Sequence, residues 1–71
     1  MHQPINTIML NGQNIDGKRI KMIHMDDPDP IQAGEMGTVI KVDGAGQIQV
    51  KWDNGRNLSV IPEEDKFEIL D

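Results

Sequence analysis

A hairpin pattern between residues 36 and 55 constrains the fold more than any other part of the chain. Its sequence is MGTVIKVDGAGQIQVKWDNG. In the second half, Ile48, Val50 and Trp52 alternate with polar residues, which is the period of a strand that buries one face. The turn before this strand, Asp43–Gly46, contains residues that tolerate positive φ angles. The pattern therefore predicts two adjacent antiparallel strands, with Trp52 in the core.

Short strands separated by turns account for most of the chain from residue 17 onwards. The pattern predicts five of them: Lys18–Met25, Gly37–Val42, Gln47–Asp53, Asn57–Ile61 and Phe67–Leu70. Two prolines make Asp26–Gly34 a loop, and Pro62 begins a segment predicted as a single helical turn over residues 62–65. Five short strands with tight turns predict an all-β fold, a small five-stranded barrel that is closed or nearly closed.

Residues 1–16 form a separate N-terminal arm in this interpretation, and residues 17–71 form the barrel domain. The arm is apolar at Ile8, Met9 and Leu10, which favours docking over free exposure to solvent. We expect it to pair as an extra strand with the barrel or with another copy of the chain, and to cover Ile23.

Composition excludes several classes of protein. The chain has 71 residues, which is one small domain, and it has no cysteine, so it has neither disulfides nor a thiolate nucleophile. No apolar run is long enough to cross a membrane, and the first residues lack the pattern of a signal peptide. These features predict a cytoplasmic protein. The net charge of −5 argues against a general nucleic-acid binder.

No catalytic residue, cofactor site or metal site is predicted. Ser59 is the chain's single serine, and no motif pairs it with His24. Asp26, Asp27 and Asp29 could offer oxygens to calcium, but prolines interrupt the run and the ligand spacing of an EF-hand is missing. We interpret this segment as a rigid acidic loop in which Asp27 or Asp29 caps a turn.

Several motifs support a resemblance to SH3-like barrels. Gly37-Thr38-Val39 resembles the entry to the central strand of KOW-type modules, and Trp52-Asp53-Asn54-Gly55 is similar to a turn in Mib/HERC-type domains. Residues 17–70 also resemble a family of small bacterial and phage proteins described only as a domain of unknown function. That resemblance rests on Gly17-Lys18-Arg19-Ile20, Met25-Asp26-Asp27-Pro28, Gly37-Thr38-Val39, Val42-Asp43, Ile48-Gln49-Val50-Lys51-Trp52-Asp53 and Asp65-Lys66-Phe67. It implies a phage or mobile-element context in a bacterial cell, and it brings no established activity.

The function we expect is non-catalytic protein binding, as an accessory protein that binds and inhibits a protein partner. Acids at 26–29 and 63–65 would imitate phosphates in a basic groove of that partner, since complementary fields favour fast encounter. The candidate contact residues are three acids and three cations: Asp26, Asp27, Asp29, Lys18, Arg19 and Lys21.

Two alternatives stay open. The first is a KOW-like nucleic-acid-binding barrel that uses five cations: Lys18, Arg19, Lys21, Lys51 and Arg56. The second is a self-assembling structural module, a homo-oligomer whose N-terminal arm exchanges between copies.

Overall fold

The protein folds as one antiparallel sheet. A computed structural model describes residues 14–70, in which four strands run from Arg19–His24 (β1), Met36–Val42 (β2), Ile48–Trp52 (β3) and Lys66–Leu70 (β4). The strand order across the sheet is β3-β2-β1-β4, and every pairing is antiparallel. The described residues contain no helix, so the predicted all-β class is confirmed.

Side chains alternate across the sheet and place one face in the core. In β3, Ile48, Val50 and Trp52 are buried, while the residues between them point away. The indole N–H of Trp52 donates to the backbone carbonyl of Leu58 at 2.8 Å, so the one polar atom of this buried side chain is satisfied. Loop residues close the core over the sheet, and the buried apolar set is Ile15, Ile20, Met22, Met25, Ile31, Val39, Val42, Ile48, Val50, Trp52 and Val60.

The predicted fourth strand, Asn57–Ile61, is reduced to a single β-bridge between Val60 and Ile48. The Leu58 carbonyl accepts the indole N–H of Trp52, and Pro62 has no N–H with which to continue the ladder. The described residues therefore form an open four-stranded sheet, and the predicted five-stranded barrel is not confirmed.

Two local features, a turn before β4 and a bulge in β2, interrupt the regular structure of the chain. Residues 62–64 form a hydrogen-bonded turn, in which the amides of Glu64 and Asp65 both donate to the Ile61 carbonyl, at 2.9 and 2.8 Å. The bond from Asp65 spans four residues, as in the single helical turn predicted for this segment. A bulge in β2 between Val39 and Lys41 adds one residue to the strand.

Most of the predicted N-terminal arm, residues 1–13, lies outside the described residues. Of the rest, Ile15 is buried in the core, and its carbonyl accepts a hydrogen bond from the Lys18 amide at 3.0 Å. The prediction that Ile23 is covered is wrong, because this side chain is 49% exposed where β1 bulges away from its register with β4. Within residues 14–70, no helix has the length and apolar character needed to cross a membrane.

Candidate functional site

An acidic loop follows β1 and projects into solvent. Asp26, Asp27 and Asp29 are all exposed. The Asp27 carboxylate accepts a hydrogen bond from the Asp29 amide at 2.9 Å, which is the turn-capping role predicted for it. The loop therefore presents its carboxylates in a fixed local conformation.

Asp65 joins this loop to a second acidic segment. This residue is 6% exposed, and its carboxylate accepts hydrogen bonds from the Asp26 amide at 2.9 Å and from the Ile61 amide at 2.8 Å. The contact spans 39 positions of sequence and places the loop beside the turn that carries Glu63 and Glu64. We call the five exposed acids of these two segments the acidic edge: Asp26, Asp27, Asp29, Glu63 and Glu64.

Arg56 braces the acidic loop from the other side. Its guanidinium donates to the backbone carbonyl of Asp29 at 2.7 Å and to that of Pro30 at 3.2 Å, and it lies 3.4 Å from the Asp29 carboxylate. Glu35 holds the loop's base, since its carboxylate accepts from the Gln32 amide at 3.1 Å. Sequence reasoning missed that Asp65, Arg56 and Glu35 hold the acidic loop in place. No sequence motif indicates the hydrogen bonds through which they do so.

Arg19 forms an ion pair with Asp53 that connects two parts of the sheet. Its guanidinium binds both carboxylate oxygens of Asp53, with one N–O distance of 2.9 Å, and it also donates to the Thr38 hydroxyl at 3.0 Å. The hydrogen bond from Arg19 lowers the pKa of Asp53, and the same contact raises the pKa of Arg19. This two-point geometry ties β1 to the turn after β3.

The three predicted cations do not join the three predicted acids in one site. Arg19 and Lys21 point outward from β1, whereas the acids lie on the loop beyond it. Lys18 precedes the strand, and its carbonyl accepts a hydrogen bond from the Val39 amide at 2.9 Å. The acids and the cations therefore belong to different surfaces.

The outward face of the sheet collects most of the positive charge. Five of the chain's seven Lys and Arg residues lie in the strands on this face, and Glu68 is the single acid within the four strands. These five cations form what we call the basic sheet face: Arg19, Lys21, Lys41, Lys51 and Lys66.

The Asp43–Gly46 turn uses its acid internally. The Asp43 carboxylate accepts from the backbone amides of Ala45 and Gln47, both at 3.0 Å. The bond from Gln47 is the main reason why the pKa of Asp43 is lowered. This carboxylate stabilises the hairpin turn, so it is a poor candidate for recognising a partner.

Metal binding has no visible basis in the part of the chain that the structure describes. No group of three or more His, Asp or Glu side chains there is arranged to hold a metal ion. Every buried polar side-chain atom in this part of the chain has a hydrogen-bond partner within the protein.

A small sheet domain with a braced acidic loop is the class that these observations define. The chain belongs to the family described as Domain of unknown function (DUF4314), whose model matches residues 6–70. This membership confirms the resemblance to a family without assigned activity. No curated protein and no solved structure matches the chain.

Proposed function

We propose that this protein is a non-catalytic protein-binding module that engages a basic surface of its partner through the acidic edge. The observation that carries the proposal is the buried Asp65 carboxylate, which links the two acidic segments into one surface. A lone acidic loop would be an ordinary solvated feature. Two acidic segments joined by a buried carboxylate have a defined relative position.

The bracing of the loop supports a recognition role. Hydrogen bonds from Arg56 and the cap by Asp27 already order the loop before any partner arrives. Less conformational entropy is then lost on binding, so more of the electrostatic attraction contributes to affinity.

In its specific form, the proposal is that the carboxylates occupy a basic nucleic-acid groove and inhibit the partner. The setting would be the cytoplasm of a bacterial cell, for an accessory protein of phage or mobile-element origin. Complementary charge would accelerate the encounter, and added salt would slow it.

Affinity capture with matched charge variants tests the proposal. The edge variant is Asp26→Asn with Glu63→Gln, and the control is Asp16→Asn with Glu68→Gln, which removes two exposed acids elsewhere. Each variant changes the net charge by two, from −5 to −3. We expect a specific protein to be captured from nuclease-treated bacterial lysate by the wild type and the control, and to be lost with the edge variant. Equal capture by both variants would contradict the proposal.

Nucleic-acid binding is a second candidate, favoured by the basic sheet face. In this form the candidate residues are the four exposed lysines of that face, because the guanidinium groups of Arg19 and Arg56 are held by Asp53 and by the acidic loop. The four lysines are Lys21, Lys41, Lys51 and Lys66. Nucleic-acid binding in the manner of KOW-type modules also requires an SH3-like barrel. In such a barrel, the Val60–Ile48 bridge would be the point at which the sheet closes.

Filter binding with mixed DNA and RNA tests this second candidate. Phosphate contacts predict retention at low salt and a steep loss of affinity as salt rises. Lys21→Gln with Lys51→Gln should reduce the salt slope by about two, because each lysine would neutralise one phosphate. An absence of retention at low salt would remove the candidate.

A further inference from the structure

An open apolar hollow lies between the end of β1 and the second half of the loop that follows it. Its volume is about 250 Å³. It is lined by Ile23, Met25, Pro30, Ile31 and Ala33, with His24 and Gln32 as its polar members. An apolar cavity of about 150 Å³ already accommodates benzene, so this hollow has room for one large apolar side chain.

The floor of the hollow is part of the core. Met25 and Ile31 are buried, and the Ile31 amide donates to the Met25 sulfur at 3.3 Å. Ile23 is half exposed at the wall, because the β1 bulge turns it out of the sheet. The hollow is thus a preformed feature with one apolar wall left open to solvent, as small-ligand and side-chain pockets commonly are.

The border of the hollow is acidic. Asp26, Asp27 and Asp29 lie between Met25 and Pro30 in the sequence, two residues that line it, and no Lys or Arg is among the lining residues. Arg56 contacts the loop but is held by its carbonyls, and Lys66 lies opposite His24 in the pairing of β1 with β4.

We infer that the hollow receives an apolar anchor side chain from a basic segment of the protein partner, with flanking Lys or Arg residues meeting the acidic border. This inference rests on the proposed function and names the chemistry of the partner's binding segment. An apolar anchor in a pocket surrounded by polar contacts is the usual arrangement of a binding hot spot.

Charge decides between this occupant and a second copy of the chain. A symmetric dimer that shared the hollow would bring one acidic border against another, and like charges in contact oppose association. A basic segment removes that repulsion and neutralises the border.

The test is a titration of the full chain with designed peptides, followed by backbone amide chemical shifts. The probe is a short peptide with one leucine flanked on each side by two lysines. One control peptide replaces the leucine with serine, and another replaces the lysines with glutamines. We expect the probe to shift the amides of Ile23, Met25 and Ala33, and both controls to bind about tenfold more weakly.

Two matched protein variants locate the anchor. Ile23→Ser removes the wall of the hollow, whereas Ile40→Ser removes the other exposed isoleucine of residues 14–70, 53% exposed at the β2 bulge. We expect about a tenfold loss of probe affinity with Ile23→Ser and no change with Ile40→Ser.

The outcomes separate this inference from the proposed function. If the serine peptide binds as tightly as the probe and shifts only the acidic edge, the hollow is not an anchor site while the edge proposal stands. If no lysine peptide binds even at low salt, both are wrong. Sedimentation showing that Ile23→Ser converts a dimer to a monomer would assign the hollow to a second copy and overturn the inference.

Discussion

Gly37 lies in the middle of the sheet, and replacing it with alanine should destabilise the fold markedly. A Cβ atom at this position would lie 2.7 Å from Val50 Cγ1, 2.8 Å from the Lys51 carbonyl oxygen and 3.0 Å from Trp52 Cα. Two of these three atoms are backbone, so no side-chain rotation relieves the contact. Strands β2 and β3 would have to move apart where they pack the core.

The cost can be set against the stability of the domain. Overpacking of this kind costs about 1–3 kcal/mol, and the unfolded chain returns about 0.4–1 kcal/mol because alanine is less flexible than glycine. Taking the middle of each range, we expect a net loss of about 1.3 kcal/mol in a domain of this size that has about 4–10 kcal/mol in total. Gly44→Ala is the control, since nothing lies within 4 Å of a Cβ there.

Urea unfolding followed by fluorescence of the chain's single tryptophan, Trp52, measures both variants. With a slope of about 1 kcal/mol per molar, Gly37→Ala should lower the midpoint by about 1.3 M, and Gly44→Ala should raise it by about 0.4–1 M. Both substitutions change the unfolded chain equally, so their difference reports the contact. Equal midpoints for the two variants would refute the close approach of β2 and β3.

Three further predictions concern the core and the buried and exposed acids. Val50→Ala should cost ~2–4 kcal/mol in the same assay, and a loss below about half a kcal/mol would show that the residue is not core. Asp65→Ala leaves the amides of Asp26 and Ile61, whose bonds to the carboxylate are partly buried, without acceptors and should cost about 2–3 kcal/mol, whereas an unchanged midpoint would show that the carboxylate braces nothing. The pKa of Asp53 is lowered in the folded state, so its stabilising effect is present above its ordinary value of 3.8 and is lost as the pH falls through the folded pKa. Asp53→Asn should therefore flatten the decline of stability with acid, and an unaltered acid limb would argue against the pair.

The sheet could be predicted from the sequence where local pattern governs it. The alternation of Ile48, Val50 and Trp52 is a direct consequence of strand geometry, and the prolines after β1 exclude regular structure on simple steric grounds. The same local reasoning predicted a strand over 57–61. It failed there because the Leu58 carbonyl bonds to an indole from another strand, which is a tertiary contact.

The acidic edge was predictable in composition but not in arrangement. Runs of acids at 26–29 and 63–65 are visible in the sequence, yet nothing local distinguishes the buried Asp65 from the exposed Glu63 and Glu64. Its role depends on the Asp26 amide, 39 positions away. The exposure of Ile23 could not be predicted either, because it follows from a bulge in β1 that the pattern of apolar residues does not indicate.

The loop after β1 is closed at its base by hydrogen bonds, so the sequence of its tip can be replaced without changing the sheet. The Met22 amide donates to the Glu35 carbonyl, and the Met22 carbonyl accepts from the Gly34 amide, both at 2.8 Å. The backbone of this one residue therefore closes the base of the loop. Met25 and Ile31 are fixed in the core, but the tip between them contributes no buried side chain. Lengthening a surface loop costs only about 0.6 kcal/mol per doubling. The tip is therefore where a foreign recognition sequence can be grafted without rebuilding the sheet.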